Sequence, residues 1–121
     1  MPIENPPSVE IREEDILYRR LSPNHINKAT QEVVSNAYKL NGEPDREISV
    51  DLAKLTTPAK SLACVKDRPG FRIGALLVKD VQGVGLIVQY APLPDNTAHC
   101  VIKGNTTKQT CKLLAEKTKL I

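Results

Sequence analysis

Ile16-Leu17-Tyr18-Arg19-Arg20-Leu21 runs directly into Ser22-Pro23-Asn24. Its aliphatic and aromatic side chains suit a pleated, half-buried surface, and Ser-Pro-Asn is turn chemistry. It reads as a first strand. Strand alternation puts Leu17, Arg19 and Leu21 on one face and Ile16, Tyr18 and Arg20 on the other, so one arginine must share a face with leucines. Arg19 is therefore the more unusual of the two, and Asp51 on a neighbouring strand is its expected partner.

Upstream, residues 1–9 hold three prolines and little apolar material, which predicts an extended or flexible arm outside the core. Residues 10–121 are then one domain, in keeping with a total of 121 residues. Downstream, Ile26, Ala29, Val33 and Ala37 recur at helical spacing, and a short helix leading into a strand is expected there, although residues 33–38 also suit an extended chain. Asn41-Gly42-Glu43-Pro44-Asp45 is a turn. Ile48-Ser49-Val50-Asp51-Leu52 alternates and reads as a second strand, with Ser49 and Asp51 on one face. Thr56 or Thr57 then caps a helix with Pro58 in its first turn, expected to bury Leu62 with Ala63 and Val65, and Asp67-Arg68-Pro69-Gly70 stops it.

Residues 71–76 read as a central strand and residues 84–90 as the next. The link over residues 78–83 is either a helical turn closed by glycine or a hairpin connection. Ala91-Pro92-Leu93-Pro94-Asp95-Asn96 is a loop stiffened by two prolines, and residues 97–102 return as a strand. Residues 106–120 predict a terminal helix with Cys111, Leu114 and Ala115 inward and Lys108, Lys112 and Lys119 outward. The fold class that follows is α+β: a small mixed or antiparallel sheet of about five short strands with two or three helices, including a C-terminal one.

Composition narrows the function classes. The net charge is +3, with five acids against Arg12 in residues 1–15 and five lysines against Glu116 in residues 103–121. Tyr18, Tyr38, Phe71 and Tyr90 are the only aromatic residues, which leaves few platforms for stacking bases, so nucleic acid is not an expected partner. Binding of a duplex by the C-terminal lysines alone would be weakly driven at this charge. No apolar run approaches the roughly 20 residues of a membrane span, and the N-terminus lacks the pattern of a secretory signal, so a cytoplasmic location is expected. Cys64, Cys100 and Cys111 form no Cys-x-x-Cys pair, which predicts reduced thiols and no metal cage. Asn105-Thr106-Thr107 is expected to cap the last helix.

No phosphate loop, dinucleotide fingerprint, His-Glu-x-x-His helix or nucleophile elbow is present, and no cofactor is expected. The residues left for chemistry are His99, at the start of a strand that leaves a proline-rich loop, with Arg19, Ser49 and Asp51. In a catalytic reading Arg19 holds an anionic group, Ser49 and Asp51 orient it, and His99 transfers a proton. In a structural reading His99 is a hydrogen-bonded strand residue, and Asp95 and Asn96 are turn formers. Cys100 sits beside His99, but successive strand residues point to opposite faces, so the two form no thiolate–imidazole pair.

Three stretches, Leu17-Tyr18-Arg19-Arg20-Leu21-Ser22-Pro23, Ser49-Val50-Asp51-Leu52-Ala53 and Pro92-Leu93-Pro94-Asp95-Asn96-Thr97-Ala98-His99, together resemble a group of small bacterial proteins. These open with a Tyr-Arg-Arg strand and close with a Pro-x-Pro-x-Asn-x-Ala-His segment. The resemblance spans most of residues 16–115 and implies a bacterial source, with no activity attached. Two functions remain in contention. One is a non-catalytic accessory module that binds a protein partner. The other is a small enzyme acting on a nucleotide or nucleic-acid group; its arginine on a first strand and serine on a later one are similar to the layout of ADP-ribosyltransferases, whose glutamate has no counterpart here.

Overall fold

The alternation of Ile16–Leu21 is realised as strand β1, with Leu17 and Leu21 fully buried. In the computed structural model, which describes residues 9–40, 42–65 and 67–121, the remaining strands are β2 (Lys39–Leu40), β3 (Glu43–Pro44), β4 (Glu47–Leu52), β5 (Arg72–Leu77), β6 (Ile87–Tyr90), β7 (His99–Lys103) and β8 (Lys119–Leu120). The helices are α1 (Pro58–Ala63), α2 (Val78–Gly83) and α3 (Lys108–Lys117). The fold is α+β. Six strands, one more than the sequence suggests, form an antiparallel sheet in the order β6-β7-β4-β1-β5-β8, and β2 and β3 make a separate ribbon.

The register Leu17↔Leu52 and Tyr18↔Asp51 sets the two faces of the sheet. Leu17, Leu21, Ile48, Val50, Leu52, Cys100 and Ile102 point to the core, where they meet Val78 and Val81 of α2, Cys111, Leu114 and Ala115 of α3, and Ala37 and Tyr38 of a 3-10 turn. Each fully buried aliphatic side chain of this set contributes about 1.5–3 kcal/mol. Gly74, opposite Arg19 in β5, admits the end of α3: a Cβ there would lie 2.5 Å from the Thr118 methyl carbon. The outer face, which carries Tyr18, Arg20, Ser49, Asp51 and His99, is covered by α1 beside β1 and β5.

Several local expectations are corrected. Residues 26–37 form no α-helix: the Asn27 carboxamide oxygen accepts the N–H groups of Ala29 and Thr30, Gln31 takes φ 59°, and Ile26 bridges to Val33, leaving only a 3-10 turn over Ser35–Tyr38. Side-chain capping by asparagine outcompetes the helical backbone there. In α1, capped by Thr57 through the Lys60 N–H, the buried residue is Ser61; Leu62 and Val65 are half-buried and Ala63 is exposed. The 78–83 link is helical. β6 begins only at Ile87, because Leu86 donates its N–H to Val81 at the end of α2, and β7 begins at His99. The last helix, capped by Thr107, stops at Lys117, where extended Thr118 turns the chain into β8.

Of the arm expected over residues 1–9, residues 1–8 lie outside the described residues, and Val9 packs against the core together with Ile11, contrary to its place in that arm. Among the described residues no helix is long and apolar enough to cross a membrane.

Candidate functional site

Asp51 stands at the centre of the outer face, 1% exposed, where an ionised carboxylate is costly unless donors surround it. Three elements supply them. From β1, Arg20 Nη1 reaches Oδ2 at 2.7 Å; from α1, the Ser61 hydroxyl donates to the same oxygen; from the proline-stiffened loop, Asn96 Nδ2 donates to Oδ1 at 2.8 Å. Asn96 is itself fixed by a bridge to Leu93 and by accepting the Ala98 N–H at its side-chain oxygen. The result is a four-residue knot that ties α1 and the 91–98 loop to the middle of the sheet.

His99 is the register partner of Asp51 but bonds elsewhere. Its Nδ1 lies 2.8 Å from the Ala91 carbonyl oxygen, which can only accept, so Nδ1 carries the hydrogen in the neutral ring. Nε2 is then an acceptor, and the Ser49 hydroxyl stands 3.3 Å from it. Both residues are half-buried. Ser49, Asp51 and His99 thus share one face, as the alternation of β4 and its register with β7 require.

Arg19 does not join them. Its side chain leaves the opposite face of the sheet, where Nε and Nη2 donate to the Ala37 carbonyl at 3.1 and 2.8 Å, Nη1 donates to the Ser49 carbonyl at 2.7 Å, and the guanidinium carbon stands 5.8 Å from the centre of the Tyr38 ring. The expected Arg19–Asp51 pair is therefore replaced by Arg20–Asp51. The β1–β4 ladder holds only the Leu17↔Leu52 and Tyr18↔Asp51 pairs, so the strands part beyond them and the Ser49 carbonyl takes a guanidinium in place of a ladder N–H. Burial lowers the Arg19 pKa from its ordinary value, partly offset by Tyr38 and Asp45.

The thiols are free. Cys64 is exposed, whereas Cys100 and Cys111 are buried, and desolvation pushes Cys100 up to about 11. Such a thiol is a poor nucleophile near neutral pH, which with its position on the core face separates Cys100 from His99. Among the described residues no group of three or more His, Cys, Asp or Glu side chains is placed to hold a metal ion. A cavity of about 220 Å³ opens beside the knot, lined in part by Thr56, Lys60, Asp95 and Asn96; Ser49 and His99 are not in its wall.

Arg20, Ser61 and Asn96 are partners of Asp51 beyond those expected from the sequence. Alternation puts Arg20 on the face away from Leu17 and Leu21 and Asp51 on the face away from Ile48, Val50 and Leu52, so once both apolar faces turn to the core it is Arg20, not Arg19, that shares the outer face with Asp51. Ser61 carried a faint signal as the polar residue one position before the apolar Leu62. No protein-family model, curated protein or solved structure matches this chain.

Proposed function

We propose that this chain is a non-catalytic bacterial protein-binding module, acting in the cytoplasm as an accessory component of a larger assembly. The observation that carries this reading is that the polar side chains best suited to chemistry are already engaged within the fold: both Asp51 oxygens, both His99 nitrogens and the Arg19 guanidinium have partners within the chain, several of them backbone carbonyls. What faces outward is of another kind. Ile87 on β6 is 58% exposed, α3 displays Lys108, Lys112 and Lys117, and Glu13 and Glu14 precede β1. A thermal-shift series with nucleotides and dinucleotides is expected to leave the melting temperature unchanged. A rise with any of them that disappears in Ser49→Ala or His99→Ala would overturn the reading.

A second reading rests on the Ser49–His99 pair. An imidazole fixed by the Ala91 carbonyl, with Nε2 toward a serine hydroxyl, has the order of orienter, base and nucleophile. In that reading a fluorophosphonate probe labels Ser49: the oxygen bonds to phosphorus, fluoride leaves and the proton passes to Nε2. Labelling lost in Ser49→Ala and in His99→Ala would support the enzyme; its absence in the parent chain would count for the binding module.

A further inference from the structure

β6 closes one end of the sheet, and half of its backbone polar groups have no partner among the described residues. Ala91 donates its N–H to the His99 carbonyl at 3.0 Å, and the register runs on through Tyr90↔Cys100, Gln89↔Val101, Val88↔Ile102 and Ile87↔Lys103. In an antiparallel ladder the inward-bonding residues alternate, so Gln89 and Ile87 bond toward β7 while Val88 and Tyr90 direct N–H and C=O away from the sheet. Among the described residues no turn or loop bond takes up the Val88 or Tyr90 groups. Unpaired edges of this kind are ordinarily blunted by a lysine, a proline or a bulge. Residues 86–93 contain no charge, and Pro92 falls beyond the strand. The opposite end strand, β8, is two residues long and carries Lys119.

We propose that β6 pairs antiparallel with β6 of a second copy of this chain, about a two-fold axis at Gln89, joining the two six-stranded sheets into one. In this register Val88 exchanges both backbone bonds with the second copy's Tyr90, and Tyr90 with its Val88, so all four outward groups are satisfied. Gln89 meets its own counterpart on the axis, and a carboxamide, being donor and acceptor at once, is complementary to itself. Ile87 comes opposite the second copy's Ala91 on the outer face, and Val88 lies beside the second copy's Tyr90 on the helix side. The occupant follows from charge: an isologous contact sets each residue near its copy, which a strand without charge tolerates and which Lys119 would oppose at β8. A charged foreign strand would find no counter-charge along β6. This pairing goes beyond the binding-module reading and holds whether or not a foreign protein is also bound.

Sedimentation velocity on the full chain tests it, with a concentration-dependent dimer expected. Gln89→Lys, at an exposed position whose monomer fold is checked by circular dichroism, places two ammonium groups on the axis and should raise the dimer Kd by roughly fivefold or more. Gln89 and its copy form a non-hydrogen-bonded pair, with Cα atoms about 4.5 Å apart, within the span of a disulfide. In a Cys64→Ser background, Gln89→Cys should therefore oxidise to a covalent dimer far faster than Lys112→Cys on α3. A chain that stays monomeric at all concentrations, a dimer indifferent to Gln89→Lys, or a Gln89→Cys variant that crosslinks only to a foreign protein would each overturn the proposal. None of these outcomes bears on whether a nucleotide raises the melting temperature, so the two readings fail separately.

Discussion

Arg20 reaches Asp51 diagonally across two strands, at 2.7 Å, although the residue directly opposite Asp51 in the register is Tyr18. The diagonal matters because the two partners are unequally buried, with side chains 20% and 1% exposed. Arg20 keeps part of its hydration, whereas Asp51 depends on protein donors alone.

Asp51→Ala should cost about 3–5 kcal/mol, since it leaves Arg20, Ser61 and Asn96 without their common acceptor. Arg20→Ala should cost less, because Ser61 and Asn96 still solvate the carboxylate. Urea unfolding of both single variants and the double variant measures the difference and the coupling between them. An Asp51→Ala variant as stable as the parent chain would mean that the knot contributes nothing to the fold.

Leu114→Ala should cost about 2–5 kcal/mol and Lys112→Ala close to nothing, because Leu114 is fully buried in the core while Lys112 is exposed two positions away on α3. Equal effects in denaturant unfolding would show that α3 packs differently.

These two sites mark how far the sequence could be read. The inward face of α3 was legible because Cys111, Leu114 and Ala115 recur at helical spacing among lysines, and β1 and β4 were legible from alternation. Residues 26–37 misled because their helical spacing is matched by apolar residues that in fact bridge across a turn, Ile26 to Val33, built by the Asn27 side chain. The site was half legible. Ser49 and Asp51 share a face as the alternation of β4 predicts, and the register with β7 adds His99; that Arg20 joins them follows once the apolar faces of β1 and β4 turn to one core, whereas Ser61 and Asn96 arrive by packing between elements distant in the chain.

His25 carries a pH dependence with a definite sign. Burial lowers its pKa below the ordinary 6.5, and the positive charge of Arg19 lowers it further. Its Nδ1 accepts the Ser22 N–H at 3.1 Å, which only a ring unprotonated at that nitrogen can do. The unfolded chain thus binds the proton more readily, so stability is full above about 6.5, falls as the pH drops below it, and levels off beneath the lowered folded value. Urea midpoints between pH 7.5 and 5 should show the decline in the parent chain and a weaker one in His25→Asn. A midpoint indifferent to pH in the parent chain would remove His25 from the account.

His99 is where the structural and catalytic readings part, and one substitution separates them. Its ring bridges the Ala91 carbonyl, at the mouth of the proline loop, to the Ser49 hydroxyl in β4, so it ties the loop to the sheet independently of Asn96. His99→Ala leaves the Ala91 carbonyl without its side-chain donor and opens a gap over a half-buried serine, at an expected cost of about 1–3 kcal/mol. Ser49→Ala removes only the longer of the two contacts and should cost less. In the binding-module reading stability is the whole phenotype, and His99→Asn, which can offer a side-chain N–H to the same carbonyl, should recover part of the loss. In the catalytic reading the order reverses: His99→Asn and Ser49→Ala both abolish fluorophosphonate labelling while the unfolding midpoint hardly moves. Measured side by side on the three variants, unfolding and labelling give opposite rankings under the two readings. A His99→Ala protein of parental stability, from a parent chain that is itself unlabelled, would remove both the structural and the catalytic role of His99.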